Sequence, residues 1–148
     1  MPLDKIPEYR KQGNTSYVQA AYLGTYYYLV NTDKPPVDDV LVRRALSYAL
    51  DRDTLTRTVL QETAIPAYSI TPPDTLGYNP PKLFDYDPAK ARQLLAEAGY
   101  PNGEGWPGLE IIYNTQEAHR KIAVAVQQMW KKELNIDVSI SNHCLLYT

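Results

Sequence analysis

The last third of the chain constrains its fold most. Residues 109–113 read Leu-Glu-Ile-Ile-Tyr, an apolar run of strand length. Ile122, Ala125, Val126, Met129 and Trp130 then recur with a helix period. Beyond them Ile136, Val138 and Ile140 alternate with Asp137 and Ser139, as on a half-buried strand. Strand, helix and strand within about thirty residues make a βαβ unit, so the two strands run parallel and the crossover is right-handed. Asn114, with Glu117 three residues on, fits a capping box for the helix. Lys131 and Lys132 suit its C-terminal dipole near residue 134.

Two further helices are legible upstream. Val42, Ala45, Leu46, Ala49 and Leu50 form one stripe, with Asp38 or Asp39 as its N-cap. Asp51-Arg52 breaks that helix, and Asp53 is placed to cap a short successor carrying Leu55 and Val59. Asp87-Pro88 predicts a second start, followed by Ala91, Leu94, Leu95 and Ala98 and closed by Gly99 and Pro101. Residues 2–11 suit a helical turn closed at Gly13. Between residues 64 and 87 no period survives five prolines; Tyr68, Tyr78 and Tyr86 would anchor that segment by packing. The glycine-rich residues 102–108 lack the Lys-Ser/Thr ending of a phosphate loop, and a strand follows them.

Residues 16–21 and 22–31 read as strands separated near Gly24, where a bulge or a close backbone approach is expected. The second is Tyr-Leu-Gly-Thr-Tyr-Tyr-Tyr-Leu-Val-Asn. Alternation puts Tyr26, Tyr28 and Val30 on one face and Tyr27 and Leu29 on the other. Both faces therefore carry a ring with a polar tip, which suits a ligand-facing surface. The plainer alternative is a strand buried on both faces.

The 148 residues suffice for one domain with a core. A net charge of −2 gives no electrostatic case for nucleic acid or an acidic membrane. Tyr occurs 13 times and Phe once, a bias toward rings that sit half in water. With Cys144 the one cysteine, no intrachain disulfide can form. No apolar run reaches the ~18 residues that a membrane helix needs. The start, Met-Pro-Leu-Asp-Lys-Ile, lacks the apolar stretch of a signal peptide, as a mature, truncated or cytosolic chain would.

Catalytic chemistry finds little support. His143 and Cys144 are adjacent but lack an orienting third group. Asp51 and Asp53 read as helix caps. His119 falls in the first turn of the last helix, where the dipole disfavours imidazolium, so it is expected to be neutral at pH 7. It could donate to a ligand carboxylate or face solvent. Two separated histidines make no metal site. The expectation is a non-enzyme with no catalytic residue, no metal and no cofactor.

Four stretches together carry a resemblance. They are Thr-Tyr-Tyr-Tyr-Leu-Val-Asn-Thr at 25–32, Arg-Arg-Ala-Leu-Ser-Tyr-Ala-Leu-Asp-Arg at 43–52, Pro-Ala-Tyr-Ser-Ile-Thr-Pro-Pro at 66–73, and Tyr-Asn-Thr-Gln-Glu-Ala-His-Arg-Lys-Ile-Ala at 113–123. Their order, with Leu-Leu-Ala-Glu-Ala-Gly-Tyr at 94–100 between, resembles the oligopeptide-binding proteins of bacterial ABC importers. The resemblance reaches about Asn142. It implies an α/β fold: a partial lobe of a periplasmic-binding-protein-like (type II) fold, with a mixed sheet, flanking helices and the C-terminal βαβ unit. Members are several times longer and enclose the peptide between two lobes, so residues 1–142 look like most of one lobe. Residues 143–148 depart from the pattern, as a shifted reading frame would make them.

The resemblance further implies that Tyr22 and Tyr27 face the peptide, that Leu29 lines a side-chain pocket, and that His119 can approach the peptide's carboxylate end. It names an oligopeptide as ligand and, for the full-length protein, a membrane permease as partner in an extracytoplasmic location. A partial lobe also has a physical reason to self-associate through apolar surface. A carrier of many peptides should read the shared main chain, much as strand addition does. Dipeptide or nickel-chelate carriers share the scaffold. Outside the family, the rivals are an interaction module with a flat tyrosine patch and a hydrolase using His119 with a carboxylate.

Overall fold

The computed structural model describes residues 3–11, 18–20, 22–73 and 75–143. The chain divides into two compact units, one of Met1–Tyr27 with Arg52–Leu83 and one of Tyr28–Asp51 with Phe84–Thr148.

The second unit holds the main core. Its helices are α2 (Val40–Tyr48), α4 (Pro88–Glu97) and α5 (Glu117–Leu134), and its strands are β1 (Leu109–Asn114) and β2 (Val138–His143). The caps explain the helix starts. Asp39 accepts from the Leu41 N–H at 2.7 Å, and Arg43 Nη1 donates to the Val37 and Asp38 carbonyls at 2.8 Å each. Asp87 accepts from the Lys90 N–H at 3.0 Å with Pro88 at the first helical position. The Asp87 N–H also donates to the Tyr48 carbonyl at 2.9 Å, joining the end of α2 to the start of α4. Beside that joint Tyr48 meets Phe84 edge-on at 5.3 Å, and Lys90 stands 4.6 Å over the Tyr48 ring.

Much of each predicted stripe is buried, while Leu50, Leu94, Ala98, Ala125 and Met129 are half-buried. Val42, Ala45, Leu46 and Ala49 of α2 and its C-cap face Ala91 and Leu95 of α4. Ile122, Val126 and Trp130 are buried on α5, together with Ala123 and Leu134. Each large side chain so removed from water contributes about 1.5–3 kcal/mol before conformational entropy is set against it. β1 and β2 pair in parallel from Leu109 opposite Val138 to Asn114 opposite His143, joined through α5. Of the mixed sheet expected, the described residues hold this one parallel pair; an isolated antiparallel bridge links Thr75 and Tyr78 in the other unit.

Polar anchors close the unit. Glu133, nearly buried, accepts from Tyr86 Oη at 3.0 Å and lies 2.9 Å from Lys132 Nζ and 3.3 Å from Arg92 Nη1. The Lys132 ammonium, against the cost of burial, holds its carboxyl below the usual range. Burial, followed by donation to Glu133, pushes the Tyr86 phenol up. In the loop before β1, Trp106 Nε1 donates to the Asp137 carbonyl at 3.1 Å and its ring meets Tyr100 edge-on at 5.3 Å.

The first unit has a 3₁₀ turn at Leu3–Lys5 running into α1 (Ile6–Lys11), then α3 (Arg52–Thr54) continuing as a π-helical stretch at Leu55–Val59. The turn closing α1 at Gly13 lies outside the described residues. Asp53 does not cap the short helix as expected; it falls inside it, because α3 already starts at Arg52. Thr56 is buried, its hydroxyl turned back onto the Arg52 and Asp53 carbonyls at 3.0 and 3.1 Å. Irregular chain follows over residues 60–73 and, apart from the Thr75–Tyr78 bridge, 75–83. Tyr68 pins it: its hydroxyl bonds Asp53, and Lys82 lies 4.1 Å over its ring.

Two strand expectations fail. Residues 18–20 carry no regular structure, and the rest of the 16–21 run lies outside the described residues apart from that core. Residues 22–31 are chain without any ladder. Aromatic and β-branched composition makes a segment fit for a sheet, but a ladder also needs a neighbour, and none of the described residues serves as one.

Candidate functional site

The tyrosine run is the most exposed aromatic stretch among the described residues. Tyr22 is 87% exposed, Tyr27 55% and Leu29 87%. Tyr26 and Val30 are also exposed, though less than Leu29, and Tyr28 is half-buried. The Gly24 N–H donates to the Tyr22 carbonyl at 2.9 Å, and the Tyr22 ring folds over Gly24 so closely that a Cβ there would lie 2.3 Å from ring Cε1. The expected close approach at Gly24 is therefore that of the Tyr22 ring.

His119 sits two residues into α5, half-buried. Its Nδ1 pairs with Asn114 Oδ1 at the end of β1. Asn114 does not open a capping box. The N-cap of α5 is Gln116, with no side-chain bond, and Asn114 is the last residue of β1. Its amide is spent on the histidine. Sequence reasoning missed this pairing, although an Asn at a strand end five residues before a helical His was the available signal. Next to it, Thr115 Oγ1 donates to Asn142 Oδ1 at 2.9 Å and ties the ends of the two strands.

Burial holds the His119 imidazole below its ordinary value. An NMR titration of its ring is expected to give a midpoint under the usual ~6.5. The unfolded chain then binds this proton more readily than the folded one. The group's contribution to stability is whole above ~6.5 and is lost as pH falls from there through the lower folded midpoint. H119Q should flatten that part of the stability profile. A midpoint at or above the ordinary value contradicts the assignment.

Of the four residues singled out from sequence, Tyr22 and Tyr27 belong to the first unit and Leu29 and His119 to the second. No group of three or more His, Cys, Asp or Glu among the described residues could hold a metal. No helix of the described residues is long and apolar enough to cross a membrane.

Comparison with known proteins gives this geometry a family. The model for "Bacterial extracellular solute-binding proteins, family 5 Middle" matches residues 1–143. The periplasmic oligopeptide-binding protein OppA of Salmonella typhimurium is 38% identical over 96% of this chain. The periplasmic murein peptide-binding protein MppA of Escherichia coli is 46% identical over 81% of it. Among solved structures, a periplasmic oligopeptide-binding protein from Borrelia burgdorferi superposes with a TM-score of 0.90 at 39% identity, covering 98% of this chain and 29% of that one. The chain spans about a quarter of its curated relatives, 27% of the Salmonella protein and 23% of the murein peptide-binding protein. Built on a βαβ core with an outward-facing tyrosine segment, this chain belongs to family 5 of the bacterial extracellular solute-binding proteins.

Proposed function

We propose that residues 1–142 are part of one lobe of an oligopeptide-binding protein that serves an ABC importer outside the cytoplasm. The observation that carries this reading is the segment 22–31. It joins no ladder, and it presents Tyr22, Tyr27 and Leu29 to solvent. Such a segment suits an extended peptide twice over. Its main chain can pair as an added strand does, which is independent of peptide sequence. Its rings bury area while keeping a hydroxyl for one directed bond. Leu29 would meet a peptide side chain, and neutral His119 would meet the peptide near its carboxylate end. The importer's membrane permease and, for the lobe alone, a second copy are the protein partners this reading names.

Closure of a second lobe would supply most of the enclosure. A micromolar peptide is held by ~8 kcal/mol, and retaining half of that leaves ~4, a millimolar constant. Calorimetric titration of this chain with a short peptide is expected to show no micromolar site. A micromolar constant would contradict the division of binding between two lobes.

A further inference from the structure

We propose that a concavity in the first unit, between α1 and the turn after the π-helical stretch, binds a small, doubly charged oxyanion. Its volume is about 350 Å³, and Pro7, Arg10, Lys11, Arg57, Gln61 and Glu62 line it. None of the residues assigned above to the peptide is among them.

Charge comes first. The lining carries three cations and one carboxylate. Glu62 Oε2 is engaged by Arg10 Nη1 at 3.2 Å, while Arg10 Nη2 donates to Gln19 Oε1 at 2.8 Å. Arg10 and Glu62 thus cancel. Lys11 and Arg57 remain as an excess of two positive charges, and Arg57 Nη2 reaches Thr54 Oγ1 only at a long 3.5 Å.

The backbone beneath is unusual at the same place. Arg57 lies within π-helical winding, a rare form that is frequent at functional sites. Gln61 and Glu62 are consecutive non-glycine residues with φ of 52° and 58°. Left-handed backbone is costly for such residues and persists only where the surroundings hold it. Here the Glu62 N–H donates to the Thr56 carbonyl at 2.9 Å, and the Glu62 carbonyl accepts from Gln19 Nε2 at 2.7 Å. Strain, unusual winding and surplus positive charge meet at one concavity.

The lining also selects the ligand. A guanidinium fork beside an ammonium matches tetrahedral or planar oxyanions. No aromatic ring lines the space, so a nucleobase would have nothing to stack on. The site therefore takes a free oxyanion of phosphate type.

Inorganic phosphate is the probe, titrated into the isotope-labelled 148-residue chain at low salt. Amide shifts should concentrate at Lys11, Arg57, Gln61 and Glu62 and saturate at roughly millimolar phosphate. R57Q and K11Q, both at exposed positions, should each weaken binding about fivefold or more, and K34Q, in the other unit, should leave it unchanged. Binding should tighten as pH rises and the phosphate loses its second proton. The proposal is overturned if no saturable shifts arise at these residues by about 20 mM phosphate, a concentration far above the expected constant. It is overturned equally if R57Q behaves as K34Q does, or if the chain binds phosphatidylglycerol vesicles while free phosphate moves nothing.

Discussion

Replacing Trp130 with alanine is expected to lower the unfolding free energy by about 3–5 kcal/mol, the range for an aromatic-to-alanine change in a core. Trp130 is 6% exposed on α5, among Val126, Leu134 and the other buried residues of the second unit. It also has a polar duty. Its Nε1 donates to the Leu46 carbonyl at 2.9 Å. Leu46 lies in the last turn of α2, whose carbonyls have no partner within the helix, and a buried orphan carbonyl costs about 1–3 kcal/mol. W130F separates the two contributions: it keeps most of the apolar area and loses the bond, so its cost should fall near that smaller range. Denaturant midpoints should order wild type, W130F, W130A, with slopes unchanged. If W130F matched W130A, packing would contribute little, contrary to the burial seen here.

The second large effect is expected at Gly103. Its φ is 76°, and a Cβ added there would stand 2.5 Å from the Asn135 carbonyl oxygen and 3.0 Å from that of Leu134. Both are backbone atoms at the C-terminus of α5 and cannot swing aside. Asn135, left-handed at φ 56°, caps α5 and donates from Nδ2 to the Asn102 carbonyl at 3.0 Å, so the turn and the helix end are locked together. G103A should cost ~1–2 kcal/mol for the left-handed alanine and ~1–3 more for the enforced shift. Gly99 is the internal control, because its φ is 95° and a Cβ there meets nothing within 4 Å. G99A should show the first cost alone. Equal midpoints for the two variants would remove the close approach from the account.

The legible parts of this fold were the local ones. The stripes of α2, α4 and α5 and the Asp87-Pro88 start follow from a period or a cap contained within a few residues. The parallel strand pair followed too, because connection length leaves a βαβ unit little choice. The tyrosine run misled in one respect. Its composition suits a strand, but a ladder depends on a neighbour that no local pattern reveals. Asn114 misled for a related reason: a residue that can cap a helix can also hold a histidine one turn on, and spacing permits both. The concavity at Arg10, Lys11 and Arg57 left no sequence signal, since its residues lie far apart along the chain and follow no period. Of the four residues expected at the peptide, the structure adds exposure for Tyr22, Tyr27 and Leu29, and a partner, Asn114, for His119.

The most direct measurement is an NMR titration of the labelled chain with an unlabelled tripeptide into the millimolar range. Amides and side chains of residues 22–31, with the ring of His119, should shift together and saturate at roughly millimolar peptide, and Y27A should abolish the response. Saturable shifts confined to other surfaces, or none at Tyr22, Tyr27, Leu29 and His119 at saturating peptide, would contradict the claim that this segment reads a peptide's main chain.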